Sequence, residues 1–285
     1  MKCFFTSDLH GDIKKYNILF SHIKHEQPDA VFLGGDLLPI HMKGQAFIES
    51  FIKQQILKPL SHLEKDFDVA TRFFLIMGND DPYIYEQYFL EAESNGILEY
   101  IHNKTIPFWN LYVTGYNYVP PTPFSLKDWE RYDISKYVDL GAFPLEQGKY
   151  TREITTEEIM DNTMKNDIEI LVKNSPVEKT IFLFHSPPYD TVLDRAALDG
   201  KMIEHAPLDM HIGSIAIKRF IEKFQPFLTL HGHVHESARI TGSWKQHIGR
   251  TFSFSGAHDG PELSLVRFET KALQNATREL IETGP

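Results

Sequence analysis

The sequence predicts an α/β protein, and two features of its hydrophobic pattern indicate this class. In the first third of the chain, short apolar runs alternate with longer segments whose apolar residues recur at helical spacing, as in parallel strands connected by helices. Towards the carboxyl end, several strand-like runs follow one another closely, which predicts a second sheet. A length of 285 residues suits one large domain or two small ones, and 42% hydrophobic residues provide material for a sizeable core.

The amino-terminal part contains a predicted βαβαβ unit. Short apolar runs bounded by Gly and Asp predict its buried strands. The intervening segments repeat apolar residues at helical spacing with charged residues between them, which predicts amphipathic helices. In chain order the pattern predicts strand 2–6, helix 13–24, strand 30–33, helix 45–63, strand 72–77 and a short helix near 82–92.

Two stretches in the rest of the chain lack a clear periodicity. Aromatic and β-branched residues at 105–119 predict a hairpin, but prolines then end regular structure, and a long irregular excursion is predicted at 120–150. Long loops inside compact domains are often functional, so this excursion is expected either to cover part of a site or to be a variable surface loop. A second irregular excursion is predicted at 186–211.

Regular structure is predicted to resume between and after these excursions. Thr155 and Glu158 form a capping-box pattern, which predicts the start of a helix whose apolar residues extend to Leu171. Further apolar or amphipathic runs predict strand 180–184, helix 214–224, and strands at 226–230, 238–241, 250–254 and 263–268.

Polar residues with metal-binding atoms come directly after five of the predicted strands. Because ligands bind at the carboxyl ends of strands in open α/β sheets, these side chains are expected to meet at one edge. Carboxylate, amide and imidazole ligands together suit first-row divalent ions such as Mn, Fe, Co or Zn. A carboxylate such as that of Asp36 has two oxygens and can bridge two ions. The predicted ligands are Asp8, His10, Asp36, Asn79, His185, His233 and His235.

These residues stand in short motifs with a recognisable order. The motifs are Asp8-Leu9-His10, Gly35-Asp36, Gly78-Asn79, His185 and Gly232-His233-Val234-His235. This order resembles the calcineurin-like metallophosphoesterase superfamily, and the motifs extend through most of the chain. The resemblance implies a four-layer fold, in which two packed mixed β-sheets lie between layers of helices, and a single domain over residues 1–285.

The resemblance also implies a binuclear metal centre and a hydrolytic activity. One divalent ion would be held by Asp8, His10, Asp36 and His235, and the other by Asp36, Asn79, His185 and His233. The ions are expected among Mn, Fe, Zn, Co and Mg, with Mn favoured, and would activate a bridging hydroxide for in-line attack on a phosphoester. The implied substrate is a small phosphorylated molecule, with a nucleotide-like compound as one candidate.

Asp80 departs from the family pattern, in which Gly78-Asn79 is usually followed by a His that is assigned to the leaving group. Nearby dications favour the ionised form of a carboxylate, so Asp80 would be a poor proton donor. The departure favours substrates with good leaving groups, such as phosphodiesters or anhydrides, over phosphomonoesters. Asp80 and His231 are candidate catalytic residues, and His211 is another candidate for the missing role.

A predicted helix start supplies candidate substrate contacts. His211 and Ser214 lie at the beginning of the predicted helix 214–224. The amino end of a helix can hold an anion, so both residues are candidates for contacting a phosphate.

Three functional hypotheses follow. The first is a two-metal phosphoesterase that prefers phosphodiesters. The second is a phosphomonoesterase or protein phosphatase, which the Asp at position 80 disfavours. The third is a non-catalytic scaffold or interaction module, because a retromer subunit similar to this superfamily uses the fold with a degraded metal site. All the predicted ligands are present in this sequence, which disfavours the third hypothesis.

Charge and cysteine content restrict the expected partners and compartment. A formal net charge of −10 disfavours general nucleic-acid binding, which usually needs a basic face, although bound metals would still attract a small phosphorylated ligand. The single cysteine, Cys3, excludes an internal disulfide, and the sequence shows no signal-peptide pattern or membrane-length apolar run. A cytoplasmic protein without membrane association is therefore expected.

Overall fold

The chain forms two mixed β-sheets with helices on their outer faces, and a computed structural model describes residues 1–39, 43–65, 71–173 and 175–284. The strands are β1 (Lys2–Thr6), β2 (Ala30–Gly34), β3 (Arg72–Ile76), β4 (Glu99–Tyr100), β5 (Thr105–Phe108), β6 (Leu111–Tyr116), β7 (Thr180–Phe184), β8 (Met202–Ile203), β9 (Ala206–Pro207), β10 (Leu228–His231), β11 (Lys245–Ile248), β12 (Thr251–Ser255), β13 (Leu263–Glu269) and β14 (Thr277–Ile281). The α-helices are α1 (Ile13–Glu26), α2 (Gln45–Phe51), α3 (Lys58–Lys65), α4 (Glu86–Ser94), α5 (Thr156–Asp161), α6 (Met164–Lys173), α7 (Ile215–Phe224) and α8 (Ser237–Thr241).

Each large sheet has six strands and a parallel centre. The order in the first sheet is β14-β13-β1-β2-β3-β4, where β1 to β4 are parallel and β13 and β14 are antiparallel additions. The order in the second sheet is β11-β12-β10-β7-β6-β5, where the four inner strands are parallel and both edge strands are antiparallel. The predicted α/β class with two mixed sheets is confirmed.

Strand alternation determines which side chains fill each layer. On β1, Cys3 and Phe5 belong to a buried cluster with residues of β7 and β10, so they fill the space between the sheets. Phe4, between them, packs in a different cluster with the buried face of α1. On the outer face of the second sheet, the ring centroids of Phe182 and Phe220, the latter in α7, lie 4.8 Å apart. The helices therefore cover both outer faces, and the four-layer arrangement is confirmed.

Several predicted elements are present with small changes. β1 and β7 have the predicted bounds, and β5 and β6 form the hairpin predicted at 105–119. The helix predicted at 45–63 is continuous, but a π-helical segment, Ile52–Leu57, separates α2 from α3. Ile52, Ile56 and Leu60 remain buried along this helix, so the periodicity used for the prediction survives the π-helical turns.

The helix predicted to begin at Thr155 is shorter than expected. The Thr155 hydroxyl accepts the backbone N–H of Glu158, as the capping pattern predicts. The helix nevertheless ends before Asn162, which is extended and whose side-chain amide donates to the carbonyl of Glu158. The hydroxyl of Thr163 then accepts the N–H of Asn166 at the start of α6. One predicted helix is therefore two short helices, each with its own hydroxyl cap.

The prediction for the carboxyl-terminal strands is partly wrong. The segment predicted as a strand at 238–241 is helix α8, because Gly242 adopts a φ of 73° and its N–H bonds to the carbonyl of Ala238. β13 pairs with β1 and belongs to the first sheet, whereas the late strands were expected to form a second sheet. β11 and β14 were not predicted, because their mostly polar sequences lack an apolar alternation.

The excursion predicted at 120–150 is largely irregular and is held by a buried ion pair. Lys127 and Glu130 are both inaccessible to solvent, and Nζ of Lys127 lies 2.5 Å from Oε2 of Glu130. Lys127 also donates to the carbonyl of Thr122 at 2.7 Å. Removing either charged partner would leave an uncompensated buried charge, so the pair keeps this loop in one conformation.

The helices are amphipathic and not uniformly apolar. Helix α1 buries Tyr16, Leu19 and Ile23, whereas Lys14 and His25 are exposed on its other side. Within the ranges that the structure describes, no helix has both the length and the apolar character needed to cross a membrane.

Candidate metal centre

The predicted ligands meet where loops leave the carboxyl ends of β1, β2, β3, β7 and β10. Two groups of side chains offer ligand atoms that lie within 4.8 Å of one another inside each group. Asp36 belongs to both groups, so its carboxylate is placed between them. The first group is Asp8, His10, Asp36 and His235, and the second is Asp36, His185 and His233.

In the first group, two histidines meet a buried carboxylate. Nε2 of His235 lies 3.2 Å from Oδ1 of Asp8 and 3.1 Å from Nε2 of His10. The Asp8 carboxylate also accepts the backbone N–H of His233 at 3.0 Å and the hydroxyl proton of Ser7. These bonds hold the carboxylate in place, and the convergence of imidazole and carboxylate atoms is what coordination of a divalent ion requires.

In the second group, a hydrogen bond fixes the orientation of His185. Its Nδ1 donates to the carbonyl of Gly34 at 2.8 Å, because a carbonyl oxygen only accepts. Nε2 is therefore the nitrogen that can bind a cation, and it lies 3.2 Å from Oδ2 of Asp36 and 3.2 Å from Oδ1 of Asn79. A backbone carbonyl that holds the far nitrogen is usual for histidines that bind metals. Asn79 thus joins this group through its amide oxygen.

Glycines lie next to these ligands because the backbone passes close to the cluster. A Cβ at Gly78 would collide with the Asp36 carboxylate and would lie 2.6 Å from Nε2 of His185. A Cβ at Gly232 would lie 2.7 Å from Oδ2 of Asp8. A side chain at either position would displace a ligand group, which is the physical reason for the Gly-Asn and Gly-His motifs.

Four of the predicted ligands have positive φ angles, a conformation that costs energy in residues other than glycine. Hydrogen bonds between neighbouring loops hold them, such as the N–H of Asp8 to the carbonyl of Gly35 at 2.9 Å and the N–H of His10 to the carbonyl of Asp36 at 2.8 Å. Backbone strain of this kind clusters at functional sites. The four residues are Asp8 (57°), His10 (45°), Asp36 (52°) and His233 (73°).

The cluster attracts positive charge in the polypeptide alone. Burial lowers the pKa of His185, but the carboxylates of Asp36 and Asp8 outweigh it and raise that pKa to about 10. Burial likewise opposes protonation of His235, yet Asp8 raises its pKa to about 9. Burial would raise the pKa of Asp36, but His185 holds it at about 2. The carboxylates therefore favour the protonated forms of His185 and His235, and a divalent ion would supply positive charge in place of those protons.

Asp80 lies beside the ligand cluster with its side chain 44% exposed. Its Oδ2 lies 3.8 Å from Nδ1 of His10, and its backbone N–H donates to Oδ1 of Asp36 at 2.8 Å. Burial, and then the Asp36 carboxylate, raise the pKa of Asp80 to about 6 in the polypeptide alone. Cations bound nearby would act in the opposite direction and favour its ionised form.

Asp81 joins two of the ligand loops, and it is absent from the predicted site residues. It is fully buried, and its carboxylate accepts the N–H groups of Leu37 at 3.0 Å, Leu38 at 2.8 Å and Gly78 at 3.0 Å. It therefore ties the loop after β2 to the loop after β3. The available signal was the adjacent pair Asp80-Asp81, but the sequence does not reveal which of the two carboxylates turns inward.

A cavity of about 400 Å³ opens beside the cluster. Both excursions form its wall. The first excursion therefore covers part of the site, which is one of the two roles expected for it from the sequence. His211, from the second excursion, lines the same cavity, and its Nδ1 lies 2.8 Å from the buried Oδ1 of Asp194. The ligand cluster contributes Asp36, Asn79, His233 and His235 to the lining, and the adjacent Asp80 lines the cavity as well.

Ser214 is not among the residues that line this cavity. It caps α7, where its hydroxyl accepts the N–H of Ile217 at 3.1 Å and donates to Asp133 at 2.7 Å. The Asp133 carboxylate also accepts the N–H groups of Ile215 at 2.6 Å and Ala216 at 3.1 Å. The helix start that was expected to face a phosphate is therefore occupied by a carboxylate of the chain itself.

His231 is also not brought to the cluster. It is fully buried at the end of β10, and its ring stacks on Phe184 with centroids 5.9 Å apart. Its Nδ1 lies 2.9 Å from the carbonyl of Ser186, and its Nε2 lies 2.8 Å from the hydroxyl of Thr229. Both ring nitrogens are bonded inside the protein, which leaves neither of them for a substrate.

Comparisons with known proteins agree with this geometry. The family model described as calcineurin-like phosphoesterase matches residues 1–237. No curated protein matches the chain. The solved structure of TT1561 from Thermus thermophilus shares the fold at 16% identity, with a TM-score of 0.56 and 99% of each chain covered. A dimetal phosphatase from Danio rerio shares it at 10% identity, with a TM-score of 0.53 and coverage of 94% of this chain and 91% of that one. The chain belongs to the calcineurin-like phosphoesterase family.

Proposed function

We propose that the protein is a two-metal phosphoesterase that hydrolyses a phosphodiester. The observation that carries the proposal is that Asp36 belongs to two groups of ligand residues, and within each group the ligand atoms lie within 4.8 Å of one another. Family membership supports the reaction class. The mixture of carboxylate, amide and imidazole atoms suits first-row divalent ions, among which manganese is favoured in this proposal.

The ligands divide between two ions. In the proposed centre, one ion is held by Asp8, His10, Asp36 and His235, and the other by Asp36, Asn79, His185 and His233. When bound, such a pair of ions activates water as a nucleophile and neutralises charge on the phosphoryl oxygens. The chain prepares the ligands in advance, because Ser7 orients Asp8 and the carbonyl of Gly34 orients His185.

The rest of the cavity wall offers little positive charge to a phosphate. Among the described residues that line it there is no Lys or Arg, whereas Asp139, Asp209 and Glu236 are acidic. A phosphoryl group in this cavity therefore depends on cations held by the ligand cluster. This dependence links substrate binding, as well as chemistry, to metal content.

In this proposal His211 donates a proton to the leaving oxygen. The family usually assigns this role to a His at the position that Asp80 occupies here. Asp194 orients the ring through Nδ1, and Nε2 lies 3.6 Å from Oδ1 of the exposed Asp190, which is beyond hydrogen-bond distance, so Nε2 can still serve another acceptor. A protonated imidazole can donate to a departing oxygen, whereas an ionised Asp80 cannot. His211 would then assist diester hydrolysis most when the leaving group is poor.

Metal reconstitution tests the proposal. Metal-stripped protein is supplied in turn with Mn, Zn, Fe, Co and Mg, and hydrolysis of bis-p-nitrophenyl phosphate is compared with that of p-nitrophenyl phosphate. We expect turnover to require metal and to be faster with the diester. Asp36→Asn and His185→Ala should abolish turnover and lower the bound metal found by elemental analysis. Asp161→Asn, at the exposed end of α5, is the matched control. Metal-independent turnover, or unchanged metal content in both site variants, would contradict the proposal.

A phosphomonoesterase is the second candidate, and the position of Asp80 at the cavity makes it testable. Asp80→His restores the residue that is usual in the family at this position. If Asp80 limits departure of the leaving group in the native protein, monoester hydrolysis should rise in the variant. An unchanged rate would mean that another group already acts there. A protein that binds no metal and turns over neither substrate would support the scaffold hypothesis instead.

A further inference from the structure

The cavity beside the ligand cluster has an apolar wall contributed by the two excursions. The excursions lie close together there: a Cβ added at Gly141 would lie 3.2 Å from Cδ1 of Ile203 and 3.5 Å from Cδ2 of Leu208. A cavity of about 400 Å³ with a mostly apolar wall and polar groups at one place is typical of a site for a small organic ligand. The apolar lining includes Pro121, Phe124, Leu140, Leu198, Ile203 and Leu208.

Large apolar side chains on the same two excursions are also exposed to solvent. Phe124 is 55% exposed and Met202 is 57% exposed, and Leu140, Phe143 and Ile203 are exposed as well. Phe124, Leu140 and Ile203 are among these exposed residues and also line the cavity, so its apolar surface is accessible to a ligand. Exposed apolar side chains that gather in one place mark binding surfaces.

The charges of the lining restrict the ligand further. Asp139, Asp209 and Glu236 line the cavity, and none of the described lining residues is Lys or Arg. The backbone N–H of His211 donates to Asp209, and that of Ala197 donates to Glu236, so both carboxylates are engaged as acceptors. Ionised carboxylates repel phosphates, so this lining disfavours a ligand that carries a second phosphate.

We propose that the substrate is a phosphodiester in which one esterified group is a hydrocarbon chain and no second phosphate is present. The chain lies against the apolar wall formed by the two excursions, while the phosphoryl group lies at the ligand cluster. This inference rests on the proposed phosphoesterase function, and it adds the chemical class of the substrate. It disfavours a nucleotide-like compound, which the sequence left as one candidate, because a sugar and a base would place polar groups against this wall.

A series of diesters with one leaving group tests the inference. Methyl, butyl and octyl p-nitrophenyl phosphates, together with thymidine 5′-p-nitrophenyl phosphate, are given to the protein reconstituted with its most active metal. Because all release p-nitrophenolate, differences in kcat/KM report contacts of the other ester group. We expect kcat/KM to rise by about fourfold for each methylene that becomes buried. The thymidine ester should not exceed the methyl ester.

Variants locate the effect on the wall. Leu140→Ser and Ile203→Ser, one on each excursion, should lower the ratio of octyl to methyl kcat/KM. Both side chains are exposed, so the substitutions leave the core intact. Ile170→Ser is the matched control, because Ile170 is also exposed but lies on α6 and does not line this cavity. An unchanged ratio in both excursion variants contradicts the inference.

Binding separates failure of this inference from failure of the proposed function. Calorimetric titration with methyl and octyl esters of methylphosphonic acid measures chain-length dependence without turnover. Tighter binding of the octyl compound, lost in Leu140→Ser, supports the apolar site even if no diester is hydrolysed with any metal. Equal affinities, a flat series of rates, or preference for the thymidine ester would each overturn the inference while leaving a metal-dependent phosphodiesterase in place.

Discussion

The buried carboxylate of Asp194 lies 2.8 Å from Nδ1 of His211 and orients that ring at the wall of the cavity that adjoins the ligand cluster. Asp194 is itself held by the N–H groups of Thr191 at 2.8 Å and Gly213 at 3.1 Å. Because the carboxylate accepts, Nδ1 carries a proton, whereas Nε2 lies 3.6 Å from Oδ1 of the exposed Asp190. A fixed histidine of this kind is suited to the role that Asp80 leaves open.

Replacing His211 with Gln should slow diester hydrolysis in proportion to the difficulty of the leaving group. We expect a loss of about 100-fold with an alkyl leaving group, which needs a proton, and much less with p-nitrophenolate, which does not. The measurement is the slope of log kcat against the pKa of the leaving alcohol, which should become steeper. His205→Gln, at an exposed position of the same excursion, should leave the slope unchanged. Equal losses with both kinds of substrate would indicate a binding or structural role.

Replacing Ser214 with Ala should lower stability and leave substrate affinity unchanged. The hydroxyl caps α7, and loss of such a cap typically lowers the free energy of unfolding by about 1 kcal/mol. KM should not change, because Asp133 occupies the helix start and Ser214 does not line the cavity. Chemical denaturation and steady-state kinetics measure the two effects. A raised KM with unchanged stability would restore the interpretation of Ser214 as a substrate contact.

The positions of the candidate ligands could be predicted because each lies directly after a strand. β1, β2 and β3 are parallel, so their carboxyl ends meet at one edge of the sheet and bring Asp8, Asp36 and Asn79 together whatever the detail of the loops. The apolar runs that identify these strands are local signals. The same short-range pattern, an apolar run followed by a polar residue, therefore predicts both the strands and the placement of the ligands.

Contacts between distant segments could not be predicted in this way. Asp133 fills the start of α7 across a separation of 82 residues, and β13 pairs with β1 although they lie at opposite ends of the chain. No periodicity indicates which distant carboxylate occupies a helix start. The apolar residues of the two excursions follow no helical or strand spacing either, so their shared role as a cavity wall emerges from the tertiary structure alone.

Replacing Asp81 with Ala should strongly destabilise the protein. Its carboxylate is the acceptor for the buried N–H groups of Leu37, Leu38 and Gly78, and each unsatisfied buried donor costs about 1–3 kcal/mol. We expect the free energy of unfolding to fall by about 3 kcal/mol or more, measured by denaturant titration of the metal-stripped protein. Asp80→Ala removes the neighbouring, exposed carboxylate and should cost less than about 1 kcal/mol. Similar losses in the two variants would mean that Asp81 does not hold the loops together.

Acid should destabilise the native protein in part through His102. Its half-buried ring packs against Tyr116 and Trp129, and burial, followed by the charges of Arg131 and Lys104, lowers its pKa from 6.5 to about 3. Between these values the unfolded chain binds a proton that the folded chain does not. The contribution of His102 to the free energy of unfolding is therefore fully present above about pH 6.5. It falls by about 1.4 kcal/mol per pH unit as the pH drops towards 3.

His102→Gln removes this titration and tests the prediction. The difference in free energy of unfolding between the native protein and the variant should shrink as the pH falls from 7 to 4, because every other group titrates in both proteins. His25→Gln, at an exposed position near the end of α1, is the matched control for the change of a histidine to glutamine. Urea titrations at half-unit pH intervals measure both. A constant difference for His102→Gln would mean that its ring is protonated in the folded state, with the positive charge accommodated beside Arg131 and Lys104.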